Sequence, residues 1–247
     1  MAVIKRRQHF TDTPVSGRNR RRIISNWSNW WDTRQNNYVE TDQSITQDSV
    51  PYDWQGNYDF QRQILNGPCQ IFLGDSTDAV NTALWGMRRA DNPAQWVNFK
   101  LLNVNSVSPT FNLANRAAIW TNIQQNTDMI LQALRHGVRH WMRIRGARPL
   151  TWRIAVRQPP GYGFAVHNSS WVSFMDDQGI EYFRTKPKYG VSGTLSEPSD
   201  LDDIFSVIVE EGNLITVGGK TFRTLIFTPD ANAVADILQA GNVAWVD

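Results

Sequence analysis

The sequence predicts a mainly β chain with inserted helices, an α+β protein whose body is a sandwich or barrel. Three observations carry this. Short apolar segments separated by turn residues recur through residues 61–247. Gly218-Gly219 stands between two of them as a two-residue hairpin turn. Three stretches show helical spacing together with capping residues. The chain has 247 residues, 41% of them hydrophobic, enough to bury a sizeable core. That excludes a wholly disordered or low-complexity protein.

Residues 1–60 differ from the rest. They are rich in Arg, Asn, Gln, Asp and Trp and hold no sustained period of 2 or 3.6. They read as an extended arm packed on a surface, because Trp27, Trp30, Trp31 and Trp54 are costly to leave in water. Residues 61–247 read as one domain, with no internal repeat and no clear linker.

A first helix is expected near 76–89. Asp75 or Ser76 would cap it, and Arg88 and Arg89 suit its negative end. A second is expected near 113–135. There Leu113, Ala117, Trp120, Ile123, Thr127, Ile130, Leu131 and Leu134 recur at three- and four-residue spacing, and Gly137 follows as a stop. A third is expected near 229–240, with Thr228 as cap, Pro229 in the first position and Gly241 ending it. The strand candidates are 69–73, 96–104, 138–145, 150–157, 162–167, 170–175, 180–185, 203–210, 213–217, 220–227 and 242–246. Residues 203–227 read as a three-strand meander. Its first strand, nearly all apolar from Ile204 to Val209, is expected to be covered on both faces.

The formal net charge of +2 hides an uneven distribution. Residues 1–25 hold seven basic residues against one acid, and residues 129–175 hold seven arginines and no acid. Residues 26–128 carry −4 and residues 176–247 carry −7. Such blocks suggest an anionic partner or charge-matched neighbouring subunits. In the arm, Lys5, Arg6, Arg7, Arg18, Arg20, Arg21 and Arg22 are the candidate contacts, with Trp27, Trp30 and Trp31 as anchors.

A second candidate surface is an arginine ribbon. Arg139, Arg143 and Arg145 alternate with apolar residues along 138–145, and Arg153 and Arg157 do so along 150–157. If Gly146-Ala147-Arg148-Pro149 closes a hairpin, Arg143 should face Arg153 and Arg139 should face Arg157. Like charges directly opposite cost stability, so anions should sit there. They are nucleic-acid phosphates, acids of the chain's own C-terminal third, or a neighbouring subunit. Trp141, amid these arginines, fits stacking on a base or guanidinium, or a subunit contact. Trp120, Trp152 and Trp245 sit at apolar-face positions and are expected in the core.

Catalytic patterns fail on spacing. Gly218-Gly219-Lys220-Thr221 lacks the earlier glycine of a phosphate loop, which would fall at Leu214. His136 and His140 are separated by Gly137 and a change of element, so they make no metal pair on one face. Cys69 opens an apolar strand and reads as a buried structural thiol, and a single cysteine builds no internal disulfide. Asp200, Asp202 and Asp203 do not match a calcium loop. No GxSxG elbow is present, and Asn26 and Asn168 matter as glycosylation acceptors only in a secreted chain. Residues 1–25 lack the apolar segment of a signal peptide, and no apolar run reaches the roughly 20 residues that span a bilayer. The expectation is a non-enzyme without cofactor, metal, membrane contact or small-molecule substrate.

The basic arm, Lys5-Arg6-Arg7 and Arg18 to Arg22, ahead of a β-rich body resembles the small viral coat proteins, in which an arginine-rich arm precedes a jelly roll. The resemblance implies a virion structural protein assembled inside the host cell. Its copies would join in a closed shell, with other virion proteins and nucleic acid as further partners. The arm is shorter than in many genome-packaging coats, which leaves room for a ring-like phage connector, neck or tail element. The alternative is a non-viral nucleic-acid-binding protein using the same arm and ribbon.

Overall fold

The computed structural model of the chain describes residues 10–15, 18–23, 29–32, 37–40, 46–47, 62–64, 67–74, 83–112, 116–134, 137–147, 151–199, 204–217 and 219–247. Within the N-terminal region, β1 (Phe10–Val15) pairs with β2 (Arg18–Ile23), and β3 (Asn29–Asp32) with β4 (Asn37–Glu40), both antiparallel. The short β5 (Thr46–Gln47) pairs with β6 (Arg62–Ile64) and so joins the main sheet.

That sheet continues through β7 (Cys69–Leu73), β8 (Ala83–Arg89) and β9 (Trp96–Leu101), then β10 (Thr110–Asn112), β11 (Ala117–Gln124), β12 (Thr127–Leu134), β13 (Gly137–Ile144) and β14 (Trp152–Arg157). A separate three-stranded sheet follows: β15 (Gly163–His167), β16 (Trp171–Met175) and β17 (Glu181–Arg184). The chain returns to the main sheet with β18 (Tyr189–Gly193), β19 (Ile204–Val217), β20 (Lys220–Pro229) and, after helix α1 (Ala231–Gln239), β21 (Val243–Val246). The main sheet has fourteen strands in the order β10-β11-β12-β13-β21-β18-β19-β20-β14-β9-β8-β7-β6-β5.

The mainly β class stands, and the sheet is a curled antiparallel half-barrel. Six strands separate β8 from β13 in the sheet order, yet Trp85 of β8 stacks on His140 of β13 at 5.0 Å between ring centroids. The curl therefore brings distant strands together around one core. That core takes Ile71 and Leu73 from β7, Met129 and Leu131 from β12, and Ile154 from β14. The small sheet adds Phe164, Val172 and Phe174, and Phe174 meets Phe99 edge-on at 5.6 Å. Val234 of α1 packs on the same core.

Three sequence expectations are corrected. The stretch 113–135 is not a helix: β11 and β12 form a hairpin there. Both faces of this hairpin are covered, with Trp120, Met129 and Leu131 in the main core and Ala117 and Ile130 in a second cluster on the outer face. Apolar residues on both faces erase the alternation of a strand and leave gaps that mimic helical spacing. Residues 83–89 are strand β8, while 75–82 lie outside the described residues. The meander is one long hairpin: β19 runs fourteen residues, bulges near Gly212, and turns into β20 at Gly219, where φ is +76°.

The C-terminal helix forms where caps and spacing place it. Asp230, not Thr228, is its N-cap: the carboxylate accepts from Asn232 N at 2.9 Å and Ala233 N at 3.1 Å. Pro229 ends β20 rather than opening the helix, because its missing N–H suits a strand end as well as a first helical turn. Gly241 ends the helix with φ +77°. Among the described residues no helix is long and apolar enough to cross a membrane.

Candidate functional site

The arginine ribbon does not form as a hairpin. The β13 strand pairs with β12 on one side and β21 on the other, while β14 pairs with β20 and β9. Arg143 therefore faces Asp128 and Trp245, and Arg153 faces Ile226. Arg139 faces Gln132 and Arg157 faces Asn98. The opposed like charges expected of that hairpin do not form.

The anion that Arg143 and Arg145 meet is Asp128, a fully buried carboxylate at the start of β12. Arg143 donates from Nε at 2.9 Å and reaches the same carboxylate with Nη2 at 2.8 Å. Arg145 donates from Nη2 at 3.2 Å; its Nε lies 3.0 Å from Oδ2 but is not aligned to donate. The backbone N–H of Asn122 adds a third donor at 2.7 Å. Asn122 sits at φ +54°, at the irregularity between Trp120 and Gln124 that interrupts the β11–β12 register, and its side chain accepts from Arg145. Asparagine tolerates that left-handed conformation better than most residues. Arg143 also donates to the Leu195 carbonyl and lies over the Trp245 ring at 5.5 Å. The cluster ties three elements together: the β11–β12 hairpin, the β13 strand and the 194–199 loop.

The other ribbon arginines have separate surroundings. Arg139 lies over Trp141 at 5.6 Å, and Trp141 meets Trp245 edge-on at 5.9 Å within the outer-face cluster. Arg157 lies over Trp96 at 5.9 Å. Arg153 is exposed. Trp120, Trp152 and Trp245 are all buried. In the arm, Arg18, Arg20, Arg21 and Arg22 lie on β2, with Arg21 opposite Asp12 in the register, and Trp30 and Trp31 lie on β3. Lys5, Arg6, Arg7 and Trp27 lie outside the described residues, as do Asp200, Asp202, Asp203, His136 and Asn26.

The remaining chemistry-bearing groups sit in quiet places. Burial pushes the Cys69 thiol up to about 12, against a smaller lowering from a backbone N–H, so it stays a protonated core thiol. His140 faces the half-barrel interior, and its Nε2 has no hydrogen-bond partner. Burial first, and the charge of Lys188 second, push its imidazole down to about 3. Sequence reasoning missed a contact in the small sheet: His167 Nε2 and Ser173 Oγ lie 2.7 Å apart. Ser173 is buried and no described carboxylate contacts the His167 ring, so the pair lacks the exposed nucleophile and orienting acid of acyl transfer. His167 instead stacks on Trp171 at 4.0 Å, with Arg184 over the same indole at 5.5 Å.

A cavity of about 420 Å³ lies between α1 and the Gly146-Ala147 turn. Its lining, including Ala231, Val234, Ala235 and Leu238, is mainly apolar, with Gln239 as its one polar side chain, and holds no charged group. Among the described residues no three His, Cys, Asp or Glu side chains gather as a metal would need. Neither family models, curated proteins nor solved structures yield a match to this chain.

Proposed function

We propose that the chain is a self-assembling structural protein whose copies join into a closed shell or ring, as the subunits of a virion coat or a phage connector, neck or tail element do. The single observation that supports this most is the unclosed sheet. Fourteen strands curl around a core but end at β10 on one side and β5 on the other. Among the described residues β10 pairs only with β11, and β5 only with β6. A curled sheet with open edges offers backbone donors and acceptors to a neighbour, and edges this short limit uncontrolled pairing while leaving room for a specific one. The uneven charge of the chain suits the same reading, because surfaces of opposite sign meet when identical copies pack.

Nucleic-acid binding by the ribbon is the weaker reading, because Asp128 already holds two of its five arginines. Negative-stain imaging of the full chain tests the proposal. Rings or closed particles are expected, and they should be lost when residues 1–31 are removed. A uniform field of monomers at high protein concentration would overturn it.

A further inference from the structure

The outward face of β14, β20 and β19 carries exposed isoleucines on β19 and, across the three strands, a row with a half-buried isoleucine at its centre and one charge of each sign at its ends. Inward, these strands bury Trp152, Ile154, Leu225, Val207 and Val209. Outward, Ile204 and Ile208 of β19 are 56% and 48% exposed, although the nearly all-apolar sequence of this strand predicts cover on both sides. In the register, Arg153 of β14 faces Ile226 of β20, and Ile226 faces Glu210 of β19. These three residues form one row across the sheet: cation, apolar side chain, anion.

With strands about 4.8 Å apart, Arg153 and Glu210 stand about 10 Å from one another, too far to pair within the chain. Both are exposed, and neither has an ion-pair partner among the described residues. Ile226 leans over Gly212: a Cβ at that position would lie 2.9 Å from Ile226 Cδ1, so the glycine gives the central side chain its place.

We propose that this face is a contact between two copies of the chain, packed face to face about a two-fold axis. This names the contact within the assembly reading above and rests on it. Two directions of the axis lay the row on its own copy, and charge selects one. An axis along the row sets Arg153 against its own copy and Glu210 against its own. An axis along the strands exchanges the ends of the row, so each Arg153 meets the other copy's Glu210 while Ile226 packs on Ile226. The second arrangement gives two ion pairs flanking the central Ile226 pair, a self-complementary surface of the isologous kind. The isoleucines supply the buried apolar area, and the charges at the rim set orientation and exclude the wrong one.

Charge reversal in the full chain tests this by light scattering. R153E alone and E210R alone should each weaken self-association by about tenfold or more, since like charges then oppose at both ends of the row. The double variant R153E/E210R should recover it. An equimolar mixture of the two single variants should also recover it, because each then presents the charge the other lacks. Both substitutions are on the surface, so circular dichroism and unfolding should match the parent chain. If the parent assembles and the single reversals leave it unchanged, or if neither the double variant nor the mixture recovers, the contact lies elsewhere and only this inference falls. If the parent chain is monomeric throughout, the assembly reading falls with it.

Discussion

Replacing Asp128 by alanine should destabilise the fold more than any other single charge change in the described region. The carboxylate is fully buried and accepts from Arg143, Arg145 and the Asn122 backbone. Its removal strands two guanidinium groups whose side chains are only 16% and 29% exposed. Breaking a buried pair by deleting one partner costs about 3–5 kcal/mol, because the remaining charge is left in a poorly solvated place. At about 2–4 °C per kcal/mol for a chain of this size, the thermal midpoint should fall by about 6–20 °C. Arg143→Ala should cost more than Arg145→Ala, since Arg143 is the more buried and also donates to the Leu195 carbonyl. Arg153→Gln should leave the midpoint near that of the parent. Denaturant unfolding of the four variants is the assay. A loss below about 1 kcal/mol for Asp128→Ala would show that water or a rearranged loop replaces the carboxylate, and would refute the view of Asp128 as the anchor of this cluster.

Two further perturbations probe the packing. His140 is held down to about 3 while an unfolded histidine titrates near 6.5, so the unfolded state takes up the proton first as pH falls. The native state thus keeps its full stability from this group above about pH 6.5 and loses about 1.4 kcal/mol per pH unit below it, toward pH 3. His140→Phe should keep the stack on Trp85 and abolish that part of the slope, read from denaturant midpoints across the window. At Gly190, an added Cβ would lie 2.0 Å from Phe205 Cζ and 2.2 Å from Cε2, so Gly190→Ala should cost about 1–3 kcal/mol or more. Adding Phe205→Ala removes the clash, so the two losses should be less than additive in a double-mutant cycle.

Much of the strand framework was legible in the sequence, because most strands are short and bounded by turn residues. The apolar run at 69–73 is β7 residue for residue, and the segments near 163–167, 171–175 and 243–246 fall within a residue or two of expectation. The α1 helix was legible through its glycine stop, although the neighbouring threonine and aspartate shifted the cap by two positions. The β11–β12 hairpin was not. Its signal was Gln125-Asn126 in mid-segment, with Asn126 at φ +53°, set against a helical spacing produced by burial on both faces.

The candidate site was legible as chemistry but not as geometry. Five arginines without a nearby acid in their own stretch did call for anions. The pairing is what differs: β13 and β14 are adjacent in sequence but lie five places apart in the sheet order, with β21, β18, β19 and β20 between them. Long-range strand order is set by the whole core, and a plausible loop of four residues does not determine it. Asp128 ends the acidic block just before the arginines begin. A charge map by blocks assigns it to the wrong neighbour, although the β12–β13 register places it directly opposite Arg143.

Self-assembly is read most directly by sedimentation velocity of the full chain over a wide concentration range at near-physiological salt. A discrete species of many subunits that grows in proportion as concentration rises is expected. A single boundary at the mass of one 28.3 kDa chain, unchanged across the range, would contradict it.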